Sequence, residues 1–335
     1  MLNEVDHLPE GLLDTLPEDL HKVLPGPTLM HLQGKKPEPL FVSVLLHGNE
    51  YSGWEAMRRF LYRYQQDKLP RSISVFIGNI QAARYGIRHL EGQPDYNRVW
   101  NGTETAEHKM MQAVLDAMYK RRVFASIDLH NNTGKNPHYA CINRTENRFI
   151  QLARMFSRII VYFIRPDGVQ AKAFAGLCPA VTLECGQPGE TSGIDHAIEF
   201  LEKSINIETI PDQPMDRSEI DLYHTIGVTK IKQGVSLGFN GEDADLVLAE
   251  NIESMNMKEV APENIIAEKV STSFLPLTVM DEQGQDVTSE HFTIRDGKLL
   301  NRKQIIPSMF TLNKDIIIDD CLCYLMEHYQ INNRA

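Results

Sequence analysis

Hydrophobic and polar positions follow two rhythms along the first two thirds of the chain. One is a set of short continuous apolar runs: "PLFVSVLLH" (39–47), "SISVFIGN" (72–79), "VFASIDLH" (123–130) and "PAVTLE" (179–184). Runs of that length, rich in β-branched residues, read as strands buried on both faces. The other rhythm fills the gaps. "SGWEAMRRFLYRYQQ" (52–66) has helical character, and "TETAEHKMMQAVLDAMYKRR" (103–122) sets Ala106, Met110, Met111, Val114, Leu115 and Met118 on one stripe, the spacing of an amphipathic helix. Beyond Glu184, Ser192 and Asp195 have the spacing of a capping box opening a helix "GIDHAIEFLEKSI".

Apolar strands alternating with amphipathic helices predict an α/β fold, a mostly parallel, mixed sheet with helices on both faces. Residues 1–38, rich in Pro and Gly, read as an irregular lead-in with one short helical turn, and the sheet domain is expected over 39–207. The texture changes around "ETIPDQPMD" (208–216). Short alternating stretches follow, such as "YHTIGVTKIK", "STSFLPLTVM" and "HFTIRDGKLL", separated by Gly, Asp and Pro. They predict a small, mainly-β C-terminal domain over 215–335.

Composition narrows the function. Hydrophobic residues at 42% and charged residues at 24% are ordinary for a soluble domain. A formal charge of −11 argues against a nucleic-acid partner, which calls for clustered Lys and Arg. No apolar run approaches the roughly 18–20 residues that span a bilayer, so no membrane partner is expected. The start, "MLNEVDHLPEGLLDTLPEDL", is acidic and lacks the basic head and apolar core of a signal peptide. Five cysteines at irregular spacings do not make a disulfide framework. The expectation is a cytoplasmic protein with free thiols. Self-association into a homo-oligomer is left open by the sequence.

Four of the expected strands end on side chains suited to chemistry. The first ends at His47 with Glu50 in the following turn, the second at Asn79, the third at His130 and the fourth at Glu184. In an open parallel sheet that edge is where ligands bind. Two imidazoles and a carboxylate (His47, Glu50, His130) form a catalytic zinc ligand set that leaves one position open for water. Glu184, on a separate strand end, is then free to act as general base on that water. Asp128 lies two positions before His130, on the same side of its strand. It either orients a ligand imidazole or is a buried polar group with local partners.

"HGNE" at one strand end, "DLH" at a later one and "TLECGQPGE" further on resemble the zinc carboxypeptidase superfamily, and more closely its succinylglutamate desuccinylase/aspartoacylase branch. The separation of eighty positions between Glu50 and His130 is typical of that branch. The resemblance covers roughly residues 40 to 200. It implies one zinc per chain held by His47, Glu50 and His130, with Glu184 as base. It further implies that Asn97 and Arg98 in "DYNRVW" bind a substrate carboxylate, that Asn79 in "IGNI" and Arg88 make further substrate or catalytic contacts, and that a β domain follows. The chain also departs from the pattern. Where the aspartoacylases have a Tyr/Arg pair shortly before the base, it reads "VQAKAFAGLCP", with Lys172 the one cation. "DLHNNTGKNPHY" is longer in polar residues than usual after the third ligand. Acyl and amino-acid specificity therefore do not carry over.

The expected function is a zinc-dependent hydrolase of an amide bond in a small anionic substrate, an N-acyl amino acid. The alternatives are a metallocarboxypeptidase acting on short peptides and a non-catalytic zinc or ligand-binding module. A serine hydrolase is a rival of another class, because "GVSLG" (234–238) matches the nucleophile-elbow pattern at Ser236. That pattern needs a helix beginning at the serine, and "FNGED" follows. Cys185 should point away from Glu184 into the core, and His89 and His138 read as ordinary polar residues near a cleft.

Overall fold

The continuous apolar runs become the centre of a mixed sheet, and their length explains why. Each lies inside the sheet with helices over its faces, and so has no solvent-facing side to break its pattern. The computed structural model describes residues 2–330. The chain divides into one unit that runs to Asn131 and resumes over His138–Leu222, and another made of Asn132–Pro137 and the chain from Tyr223 onward.

In the first unit the elements are β1 (Asn3–Val5), β2 (Thr28–Leu32), β3 (Gly34–Val44), α1 (Ser52–Tyr62), β4 (Leu69–Ile77), α2 (Ile80–Ala83), α3 (Ala106–Lys120), β5 (Ala125–His130), β6 (Tyr139–Ile142), α4 (Asn147–Arg154), β7 (Ile159–Tyr162), α5 (Gln170–Phe174), β8 (Ala180–Glu184) and α6 (Thr191–Asn206). The strands lie in the order β1-β2-β4-β3-β5-β8-β6-β7. The central four, β4-β3-β5-β8, are parallel, while β2 on one side and β6 on the other join antiparallel. Successive side chains of a strand point to opposite faces, and both faces are covered. On one, Gly53 of α1 sits against Leu129 and Val44. On the other, Phe174 of α5 stacks on Phe41 at 4.4 Å and Gln170 donates to Ser126 Oγ at 2.7 Å.

The lead-in expected to be irregular supplies two strands instead. Leu29 and Met30 are fully buried in β2, which pairs antiparallel with β4, and β1 pairs with β2. A strand of three residues is too short to show a period, and β2 has His31 breaking its apolar run between Pro and Gly turns. The capping box at Ser192 and Asp195 does not form. The helix starts two residues earlier, at Thr191, with Glu190 at its cap, and Glu190 Oε2 accepts from the Gln187 amide at 3.1 Å.

The second unit contains β9 (Asp221–Ile231, its first two residues belonging to the first unit), β10 (Leu237–Phe239), β11 (Leu246–Leu248), β12 (Ile265–Val270), β13 (Leu277–Asp281), α7 (Thr288–His291), β14 (Phe292–Arg295), β15 (Lys298–Asn301), β16 (Ile306–Ser308), α8 (Lys314–Asp319) and β17 (Cys323–His328). One sheet has the order β10-β11-β12-β15-β14, and β9 pairs with β13 and β17. Leu246, Ile266, Phe292, Leu299, Phe310 and Leu325 fill the core between them. The C-terminal β region is therefore present. Residues 132–137, the polar extension noted after His130, also belong to this unit: Asn256 donates to Lys135 O and Phe310 O, and Met309 N donates to Asn136 Oδ1. At Gly134 a Cβ would fall 1.9 Å from Phe310 O, so only glycine fits.

Candidate active site

The parallel strands end together, and the polarity of the chain rises there. After β3 the backbone turns through Leu45, which is left-handed (φ 55°) although it carries a side chain. Such a conformation persists only where its surroundings enforce it, and here Leu45 O accepts the Asn79 amide at 2.6 Å. His47 follows, and the Glu50 amide donates to His47 O at 3.2 Å, closing the turn that sets the two side chains together. Gly48 between them donates to Arg88 O, and a Cβ there would lie 2.3 Å from the backbone of Ala82 and Ala83. The glycine of "HGNE" thus allows the turn to press on α2. His130 ends β5, and Glu184 is its register partner at the end of β8.

His47, Glu50 and His130 are buried, and one donor atom from each lies within 4.8 Å of the others. His47 Nδ1 is 2.8 Å from Glu50 Oε1, and His130 Nδ1 is 2.7 Å from Glu50 Oε2. Each ring has a carboxylate on its other nitrogen. His47 Nε2 is 3.0 Å from Asp95 Oδ1, and His130 Nε2 is 2.8 Å from Asp128 Oδ2. Ser43 Oγ donates to the other oxygen of Asp128 at 2.7 Å. A carboxylate accepting Nε2–H fixes the tautomer and leaves the Nδ1 lone pair directed at the centre. Two such nitrogens and a carboxylate are donor types that zinc takes. Asp128 is thus a fully buried carboxylate held between Ser43 and the His130 ring.

Electrostatics agree with a site built for a cation. Burial and Arg88 oppose charge on His47, yet Glu50 and Asp95 outweigh them and its pKa is raised. Burial likewise opposes charge on His130, and Asp128 and Glu50 carry its pKa well above the usual value. Glu50 and Asp95 are held well below the carboxylate range, against their burial, chiefly by the imidazoles. The carboxylates draw protons onto both rings, positions a divalent cation would claim. For Glu184, burial is the largest influence and raises its pKa to about 7, with His130 opposing and Glu50 adding.

The remaining expected residues are placed as follows. Arg88 donates from Nε and Nη2 to Asp95 Oδ2 at 3.1 and 2.9 Å, with Nη1 3.9 Å from Glu50. Asn97 Nδ2 lies 3.2 Å from His130 Nε2, while its Oδ1 accepts the Gln170 amide at 2.9 Å. Arg98 Nη1 donates to Asn97 O at 2.9 Å. Asn79 caps α2 by accepting the Ala82 amide and donates to Gln93 Oε1 at 2.8 Å, which ties it to the loop carrying Asp95. Arg84 is exposed, beside Tyr85. Lys172 is bonded to Asp167 and to Ile164 O. Ser236 donates to Asp245 and is followed by β10 rather than a helix, so the elbow geometry is absent. Cys185 is buried, and burial raises its thiol pKa.

Two residues escaped the sequence reading. Asp95 holds His47, Arg88 and the Asn97 amide together; its one signal is its place two residues before Asn97. Asn131 links three segments: its amide donates to Glu50 Oε2, its Oδ1 accepts the Ser52 amide, and its Nδ2 donates to Gly186 O in the loop after Glu184.

The fold is a mixed α/β sheet with helices on both faces, and its strand ends gather a His-Glu-His donor set. Residues 39–194 match the family model of the succinylglutamate desuccinylase/aspartoacylase catalytic domain. Solved structures agree on the fold. A succinylglutamate desuccinylase from Vibrio parahaemolyticus aligns with a TM-score of 0.59 at 13% identity, over 88% of this chain and 83% of that one. A succinylglutamate desuccinylase/aspartoacylase from Rhodobacter sphaeroides gives 0.59 at 12% identity, over 90% and 89%. Murine aminoacylase 3 gives 0.56 at 14% identity, over 89% and 97%. No curated protein matches by sequence. Among the described residues no helix is long and apolar enough to cross a membrane.

Proposed function

We propose that the chain is a zinc-dependent hydrolase that splits the amide bond of a small substrate with a free carboxylate, an N-acyl amino acid. The observation that carries this reading is the pair of buried imidazoles, each backed by a carboxylate on Nε2, with both Nδ1 atoms converging on Glu50. The catalytic-domain family, and relatives whose names denote desuccinylases and an aminoacylase, support hydrolysis of acylated amino acids.

Held by His47, Glu50 and His130, zinc would lower the pKa of water towards about 7 and polarise an acyl carbonyl. Glu184, beside His130 on the adjacent strand, takes the proton of the attacking water and delivers it to the leaving nitrogen. Asp95 and Asp128 keep the imidazoles from turning. Arg98 and Asn97 bind the substrate carboxylate, and Arg88 and Asn79, which bond to Asp95 and Gln93 respectively, make the further substrate contacts.

Purified protein should contain about one zinc per chain, and His47→Ala or His130→Ala should lose it, because two protein ligands hold the ion poorly. Elemental analysis that finds full zinc in both variants would overturn the ligand set. The zinc-loaded protein, offered N-acyl amino acids and dipeptides in parallel, should turn over the former. Turnover of the dipeptides alone would make it a carboxypeptidase.

A further inference from the structure

The parallel strands have a second edge, at their N-terminal ends and away from the donor set. An open cavity of about 600 Å³ lies there, lined wholly by residues of the first unit. Its lining holds five cations, Lys35, Lys36, Arg71, Arg122 and Arg148, and two carboxylates, Glu38 and Glu208, a net of 5 − 2 = +3. The chain as a whole carries −11, so the cavity reverses the sign of the molecule locally.

The cations fall into two groups. Lys36 pairs with Glu208 at 2.6 Å. Arg71 is buried, stacks over the Phe124 ring at 3.6 Å and donates to the carbonyls of Glu38, Ile207 and Glu208. These two are fixed in the wall. Lys35, Arg122 and Arg148 are exposed, and among the described residues none of the three side chains makes an ion pair or hydrogen bond. In a chain with 45 acidic and 34 basic residues, pairing is the easy outcome for a surface cation. The three unpaired cations leave this concavity with positive charge that nothing in its wall neutralises. Arg122 also stands in a left-handed backbone (φ 53°), a costly conformation for a residue with a side chain.

We propose that this cavity binds a small anion bearing two or more negative charges, either a phosphate group or a polycarboxylate. Its volume is that of a small-molecule site. Guanidinium groups recognise both oxyanions by paired hydrogen bonds. A long polyanion would lie against the negatively charged remaining surface, whereas a small one, once bound, touches only the cavity wall. The site is separate from the donor set and does not depend on the hydrolase reading.

The test is calorimetric titration of the full-length, zinc-loaded protein with inorganic phosphate and with tricarballylate, at fixed ionic strength. At least one should bind at a single site. Lys35→Gln, Arg148→Gln and Arg122→Asn (a residue that tolerates the left-handed backbone) should each weaken binding about tenfold, the loss of one charge-assisted hydrogen bond. Arg98→Ala should leave that binding unchanged. Binding of one probe alone supports the proposal and identifies the oxyanion. Melting temperatures equal to wild type without anion would show that the three variants remain folded. Binding of neither probe, or variants that bind as tightly as wild type, would overturn the proposal, and loss in Arg98→Ala alone would move the anion to the active site.

Discussion

His47 and His130 each have a carboxylate on the ring nitrogen far from Glu50, and removing it frees the ring to rotate and to change tautomer. Asp95→Asn and Asp128→Asn, which keep shape but lose charge, should therefore weaken zinc binding roughly 10–100-fold. Competition with a chromogenic chelator reads this directly, and wild-type affinity in both variants would mean that other groups hold the rings. Glu184→Gln should behave differently. The amide keeps the size of the side chain but cannot accept a proton, so zinc should stay while turnover falls about 10²–10⁴-fold. Near-wild-type turnover would remove Glu184 from the mechanism. His47, Glu50, His130 and Glu184 were legible because strand ends of a parallel sheet share one edge, so the position of each was implied by its strand. Asp95 sits on a loop, whose path no periodicity describes, and it was missed.

At the scale of elements, legibility followed length and environment. β3, β4, β5 and β8 are buried on both faces and announced themselves as apolar runs. β6 and β7, of four residues each, and β1, of three, carry too few positions for a pattern to emerge, while β2, as long as β8, has His31 breaking its apolar run. The short α7 in the second unit was equally unmarked, yet it holds a group with a measurable consequence. His291 at its end is 5% exposed, its Nδ1 has no hydrogen-bond partner, and burial, aided by Lys303, lowers its pKa to about 4. The folded protein thus binds this proton less readily than the unfolded chain. Its stabilising effect is complete above the unfolded pKa of 6.5 and is lost as pH falls towards 4. Between pH 7.5 and 5 the group should cost up to about 2 kcal/mol of stability. Urea unfolding at the two pH values should show a larger drop for wild type than for His291→Gln, and identical drops would mean the imidazole is solvated.

At the scale of the molecule, charge sets the problem that substrate binding must solve. An anion approaching a chain of −11 is repelled at long range, and a local cation must reverse that field at the site. Arg88 is already matched by Asp95, with two hydrogen bonds to one carboxylate oxygen. Arg98, next to Asn97, whose amide nitrogen lies 3.2 Å from His130 Nε2, is the cation proposed to bind the substrate carboxylate. A guanidinium grips a carboxylate through two parallel hydrogen bonds, and an ammonium cannot reproduce that fork. Arg98→Lys should thus impair kcat/KM for the carboxylate substrate almost as severely as Arg98→Ala. The same variants should lose far less on the methyl ester, which wild type should already use poorly. If wild type processes ester and acid equally well, no carboxylate pocket operates, and the substrate is recognised through its acyl end instead.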